Sequence, residues 1–188
     1  MRAFLNRITS LTPIAAGAAA GMIVLGIVSI VGGSYDHQVV HSQLGPQKIT
    51  FPKPAEYADL KKYEGQQVLT GTQARAYAED QIAPDMSKIA GGKTYSQVSG
   101  EWIAGGMKSE KLAGERTELF TGETLRGLLL QAWGWGQIGS IAILAGILLI
   151  VFGSILFLLP VLNWRLNLGR EREEAVSSRV PQAPPAVA

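Results

Sequence analysis

Two long stretches without one ionisable side chain constrain this sequence more than any other feature: 14–31, IAAGAAAGMIVLGIVSIV, and 138–162, IGSIAILAGILLIVFGSILFLLPVL. As a helix rising about 1.5 Å per residue, the first covers roughly 27 Å, close to the hydrocarbon thickness of a bilayer. Thr12 and Pro13 suit a helix start, and Gly32 and Gly33 mark its exit. The second is flanked by Trp133 and Trp135 before it and Trp164 after it. Indole rings favour the headgroup zone. From Trp135 to Trp164 a helix covers roughly 43 Å, a bilayer with its interfaces. Pro160 falls in the last turns, where a kink is tolerable.

Flanking charge orients these spans. Arg2 and Arg7 precede the first; Arg165, Arg170 and Arg172 follow the second. Cytoplasmic flanks carry the arginine and lysine excess, so both termini are expected in the cytoplasm of a multi-pass plasma-membrane protein. The expected organisation is a cytoplasmic N-terminus (1–13), a transmembrane helix (14–31), an extracytoplasmic domain (32–136), a second transmembrane helix (137–162) and a disordered cytoplasmic tail (163–188). The fold class is mainly α: two transmembrane helices flanking a small, mostly helical extracytoplasmic domain. The rival reading takes 1–33 as a cleaved signal peptide; its apolar stretch is longer than the usual 7–15 residues and lacks an A-x-A site.

Composition excludes several chemistries. The chain has no cysteine, which removes disulfides, thiolate metal sites, iron–sulfur clusters and cysteine nucleophiles. A formal charge of +2 gives no electrostatic case for a nucleic-acid partner. The central segment must therefore hold itself together by packing.

Within that segment, 34–53 combines β-branched residues with Gly45–Pro46 and reads as an extended or irregular lead-in. Tyr57, Leu60 and Tyr63 share a stripe of a short helix that Gly65 stops. Thr70 with Gln73 has capping-box spacing and opens a helix that Pro84 ends; Thr94 with Gln97 repeats the box before Tyr95, Val98, Trp102 and Ile103. Helix resumes from Ser109, with Leu112, Leu119 and Phe120 inward, and runs toward the second span. Beyond Gly169 the sequence is charged and then rich in proline and alanine, too polar to order itself by burial.

Small residues mark packing faces. Gly17 and Gly21 form a G-x-x-x-G pair, with Ala18, Met22 and Gly26 on the adjoining stripe; Gly139, Gly146 and Gly153 recur every seven residues on one face of the second span. Bare backbone lets helices approach closely where lipid offers no hydrophobic drive. The partner is either the other span or another chain.

Asp36, His37 and His41 form the most suggestive polar cluster, and they include both histidines of the chain. On a helix, His37 and His41 share a face and Asp36 supplies an oxygen, a set suited to a divalent metal or a proton-sensitive contact. In an extended segment residues four apart lie about 13 Å from each other, too far for one ion. Arg126 is placed to pair with Glu123 or a lipid phosphate. No phosphate loop, dinucleotide fingerprint, serine elbow or H-E-x-x-H is present, so no cofactor is implied.

The runs SYDHQVVHSQLGPQKITFP, TQARAYA, GGKTYSQVS and LFTGETLRGLLLQAWGW resemble a family of two-span actinobacterial membrane proteins. The resemblance covers most of the segment between the spans and implies the topology above, with no established activity to transfer. Some similar chains bear the name aromatic ring-opening dioxygenase, a chemistry that needs a soluble catalytic fold and an iron ligand set; here only the two histidines and Asp36 are candidates. The favoured expectation is a membrane-anchored accessory or scaffold protein that contacts the bilayer and either a membrane-protein partner or a second copy. The alternatives are a metal- or redox-linked membrane protein using His37 and His41, and an envelope sensor signalling through its tail.

Overall fold

The computed structural model describes the backbone of residues 2–177 and the side chains of 13–158, Val161, Leu162 and Arg165. The protein is mainly helical. Among the described residues the extended pairing is a single bridge, Thr50 with Gln67. Two long helices, α1 (Arg2–Leu44) and α5 (Glu110–Ser177), bracket a run of short pieces. These are 3-10 turns at Gly45–Gln47 and Ala58–Tyr63, α2 (Gly71–Ala76), a π segment (Tyr77–Ile82), α3 (Ala83–Lys88), a turn at Ile89–Gly92 and α4 (Tyr95–Ala104). The stretches Pro13–Gln47 and Glu110–Leu158 are long and apolar enough to cross a membrane.

The chain divides into two compact units. One is Val31–Ile143; the other joins α1 up to Ile30 with α5 from Leu144.

The Val31–Ile143 unit has a side-chain core of Val40, Leu44, Phe51, Leu60, Val68, Ala74, Ala78, Ile82 and Leu129. Phe51 is 1 % exposed, stacks on Tyr63 at 5.0 Å and meets Tyr77 edge-on at 5.3 Å. The short bridge carries it there: the Phe51 amide donates to the Gln66 carbonyl at 2.9 Å, and the Val68 amide to the Ile49 carbonyl at 2.8 Å. Both capping boxes form, with the Gln73 amide donating to Thr70 Oγ1 at 3.2 Å and the Gln97 amide to Thr94 Oγ1 at 3.3 Å. Each satisfies an N–H that would otherwise lack a partner at the helix start. The α4–α5 turn places Gly106 at φ +71, a left-handed conformation that glycine adopts without strain.

Several expectations are corrected in this unit. The lead-in is not extended over 34–44: α1 runs on to Leu44, because Val40 and Leu44 bury to 4 % and 7 % exposure in the core. Packing of one face outweighs the weak helix propensity of the β-branched residues. Pro84 does not end its helix. The π segment before it widens the turn, so that the Ala83 amide donates to the Ala78 carbonyl, and Pro84 falls in the first turn of α3, where its missing N–H is not required. Leu119 is buried, but its neighbour Phe120 is 57 % exposed and Ile103 59 % exposed; adjacent helical positions point about 100° apart, so one face cannot bury both Leu119 and Phe120.

In the other unit, α1 and α5 approach backbone to backbone. A Cβ added at Gly26 would stand 2.7 Å from the Gly146 carbonyl oxygen, and one at Gly146 would stand 2.6 Å from that of Gly26. At Gly153 it would stand 3.0 Å from the Ala19 oxygen. The sequence predicts a disordered tail from residue 163, yet α5 continues to Ser177. The residues after Gly169, REREEA, are mostly good helix formers. Residues 178–188 of that tail lie outside the described residues.

Candidate functional site: an apolar groove and a close helix contact

Within the Val31–Ile143 unit the last turns of α1 and the middle of α5 run antiparallel: Gly33 lies against Gly139 and Ile143, and His37, one turn further along α1, lies against Gly139. Above that contact the helices leave a groove of about 610 Å³. Val39, Val40 and Leu44 of α1 face Leu125, Leu128, Leu129 and Ala132 of α5 along it. Val40, Leu44 and Leu129 form a buried floor, whereas Leu128 is 58 % exposed on the rim. Tyr35 and Trp135 stand at one end, and Gln43, Gln47 and Gln131 supply neutral polar groups. Asp36 is the lone formal charge in the lining. It is half-buried and makes no hydrogen bond or ion pair to any described residue.

The α1 helix puts His37 and His41 one turn apart on one face, and both are exposed. His37 Nε2 lies 3.2 Å from Ser140 Oγ, whose hydroxyl donates to the Gly136 carbonyl at 2.9 Å. Asp36 and His37 straddle Gly139: a Cβ there would meet Asp36 Cβ at 3.1 Å and His37 Cδ2 at 3.4 Å. Among the described residues, no three His, Cys, Asp or Glu side chains come together in a group able to hold a metal ion.

The remaining residues singled out from sequence separate into distinct settings. Gly139, Gly146 and Gly153 all lie in the close contact between α1 and α5, opposite Gly33, Gly26 and Ala19. Gly17 and Gly21 face open space, with nothing within 4 Å of an added Cβ. Trp133 packs under the Arg75 guanidinium, 4.9 Å from its ring centre. Trp135 is 52 % exposed at the groove. Trp164 lies outside the residues whose side chains are described. Arg126 pairs with Glu123 at 3.3 Å and also with Glu79 at 3.0 Å.

No family model, curated protein or solved structure matches this chain.

Two polar clusters have a structural role. The Asp85 carboxylate accepts from Tyr57 Oη and from Gln81 Nε2, each at 2.8 Å, and from Lys88 Nζ at 3.2 Å. Burial alone would raise this carboxyl, but the donors from Gln81, Tyr57 and Lys88 outweigh it and hold Asp85 below the usual range. Arg116 lies 4.6 Å from the Trp102 ring centre and 5.8 Å from that of Tyr95, tying α4 to α5. Sequence reasoning missed the groove and these clusters, because each joins residues remote in sequence. Gly26 and Gly33 did carry a signal: with Ala19 they repeat every seven residues, the same spacing as the glycines of α5.

Proposed function

We propose that this chain is a two-span, membrane-anchored accessory or scaffold protein without catalytic activity of its own. In this reading the segment 32–136 lies outside the cytoplasm, both termini lie inside, and the spans serve to hold an interaction surface at the extracytoplasmic face of the membrane. One observation carries it. The two apolar stretches bury only 11 % of their best windows inside the molecule, so residues such as Val24, Leu25, Val28, Ile141, Leu144 and Phe152 present their side chains outward. The core helix of a water-soluble domain hides such residues; a helix solvated by lipid does not. The arginines flanking the two stretches supply the orientation, and the resemblance to two-span actinobacterial proteins supports the same topology.

The test uses the absence of cysteine, which makes any introduced thiol unique. Ser96→Cys should react with a membrane-impermeant maleimide on intact cells, and Ala3→Cys only after permeabilisation. The protein should stay in the membrane pellet through alkaline carbonate washing. Release into the supernatant overturns the anchoring, and reversed labelling overturns the orientation.

A second reading, a metal- or redox-linked membrane protein, draws support from the helical placement of His37 and His41 on one face. Metal content of the purified protein decides it: equal and sub-stoichiometric metal in the native chain and in the His37→Ala/His41→Ala double variant ends that reading.

A further inference from the structure

The groove between α1 and α5 is walled by one face of each helix and leaves both faces uncovered over its length. Its α1 wall is one helical face, Tyr35, Asp36, Val39, Val40, Gln43 and Leu44, and extends on to Gln47. From residue 35 to 47 such a wall is roughly 18 Å long, about three turns of an opposing helix. A floor of Val40, Leu44 and Leu129 beneath an exposed Leu128 is the profile of an apolar ridge-and-groove contact. Charge narrows the choice of occupant. Asp36 is unpaired among the described residues and sits at the end of the groove that Tyr35 and Trp135 frame, next in sequence to the apolar stretches. A neutral acyl chain leaves that carboxylate desolvated without compensation, whereas a basic side chain pairs with it. A second copy anchored in the same membrane is the poorer fit: at the level of Asp36 its long helices, 32–40 and 132–143, carry no lysine or arginine, and its Arg75 is engaged on Trp133.

We propose that the groove seats a juxtamembrane helix of a different membrane protein, apolar on the face it buries and carrying one lysine or arginine at the level of Asp36. This rests on the membrane-anchored accessory reading and specifies its partner's chemistry. The seated helix supplies the apolar cover for Leu125 and Leu128, and its cation neutralises Asp36 as both lose water.

Site-specific photo-crosslinking of the full chain in native membranes tests it, with benzoylphenylalanine at Leu128 or Gln131 in the groove and at Ile141 as a control outside it. The expected result is a protein adduct from the groove positions alone. Peptide mapping should place it on an apolar helical segment with a basic residue within one turn of the crosslinked site. Asp36→Asn should lower the yield about tenfold or more. Asp36→Lys should abolish it, and exchanging the partner's basic residue for glutamate should restore it. The chain's thermal unfolding should be unchanged in both variants, which separates a lost contact from a lost fold. A lipid-only adduct, an adduct with a second copy, a mapped segment without a basic residue, failure of the charge exchange, or no adduct would each overturn the proposal. Carbonate washing and thiol labelling, read independently, decide the anchored topology whichever way the crosslinking falls.

Discussion

The two compact units are built by opposite means. The Val31–Ile143 unit hides side chains: Phe51, Leu60, Val68, Val98 and Leu129 are each at most 2 % exposed. Ala19 is the one buried hydrophobic residue described in the other unit, where α1 and α5 instead bring Gly26 against Gly146 and Ala19 against Gly153. The glycine contact reaches into the first unit at Gly33 and Gly139, but side-chain burial is what that unit adds. In water, covering apolar side chains is the main favourable term. In the proposed bilayer setting that term vanishes between helices, and close backbone approach with its dispersion and Cα–H···O contacts takes over. The same α1 and α5 helices serve both schemes, so a substitution should have opposite consequences according to where along them it falls.

Phe51→Ala should produce the largest effect. Removing this ring from between Tyr63 and Tyr77 should cost about 3–5 kcal/mol, measured by denaturant unfolding of the protein in nanodiscs and followed by near-ultraviolet circular dichroism. A loss below about 1 kcal/mol would mean that side-chain burial does not hold this unit. Enlargement is the corresponding test of the glycine contact. Gly146→Ala puts a methyl 2.6 Å from the Gly26 carbonyl oxygen and should cost about 1–3 kcal/mol. Spin labels at Val28 and Leu148 should report a longer and broader distance distribution; an unchanged distance would break the comparison.

Thr70→Ala removes the hydroxyl that accepts from the Gln73 amide and should cost about 1 kcal/mol, with hydrogen exchange accelerating first at the start of α2. Acid comes next. The carboxyl of Asp85 is held low in the folded state, so its stabilisation is complete above the unfolded value of about 4 and fades as pH falls through the lower folded value. Unfolding midpoints recorded across that acid window should converge for the native chain and Asp85→Asn; parallel curves would assign the network no role. Smallest of all should be Gly17→Ala, because nothing lies within 4 Å of the added carbon. The same spin-label distance should not move. A shift there would show that Gly17 faces a partner that the single chain does not contain.

How much of this was legible in sequence depends on the range of the interactions. The helix starts at Gly71 and Tyr95 could be read because a capping box is a four-residue signal, complete in Thr70 with Gln73 and Thr94 with Gln97. The glycine face of α5 was readable from its period. Its counterpart was obscured, since Gly17 and Gly21 make the stronger local pattern while the contact uses Ala19, Gly26 and Gly33. The course of residues 34–44 was misread for a physical reason: Val39, Val40 and the Gly45–Pro46 turn weaken a helix locally, and only burial of Val40 and Leu44 against residues far along the chain reverses the balance. The groove joins the end of α1 to residues 125–135, and no local pattern carries a pairing of that separation. Asp36 was visible as part of a histidine cluster. Its isolation at an apolar wall was not.

The matched seven-residue spacing of Ala19 and Gly26 with Gly153 and Gly146 acts as a detent. Sliding one helix past the other by a turn would drive isoleucine or leucine side chains into carbonyl oxygens, and the next alignment that restores small against small is a full repeat away, roughly 10 Å. Piston-like travel of one helix along its neighbour is therefore blocked, and any mechanical message passing along this pair must be carried by rotation or separation.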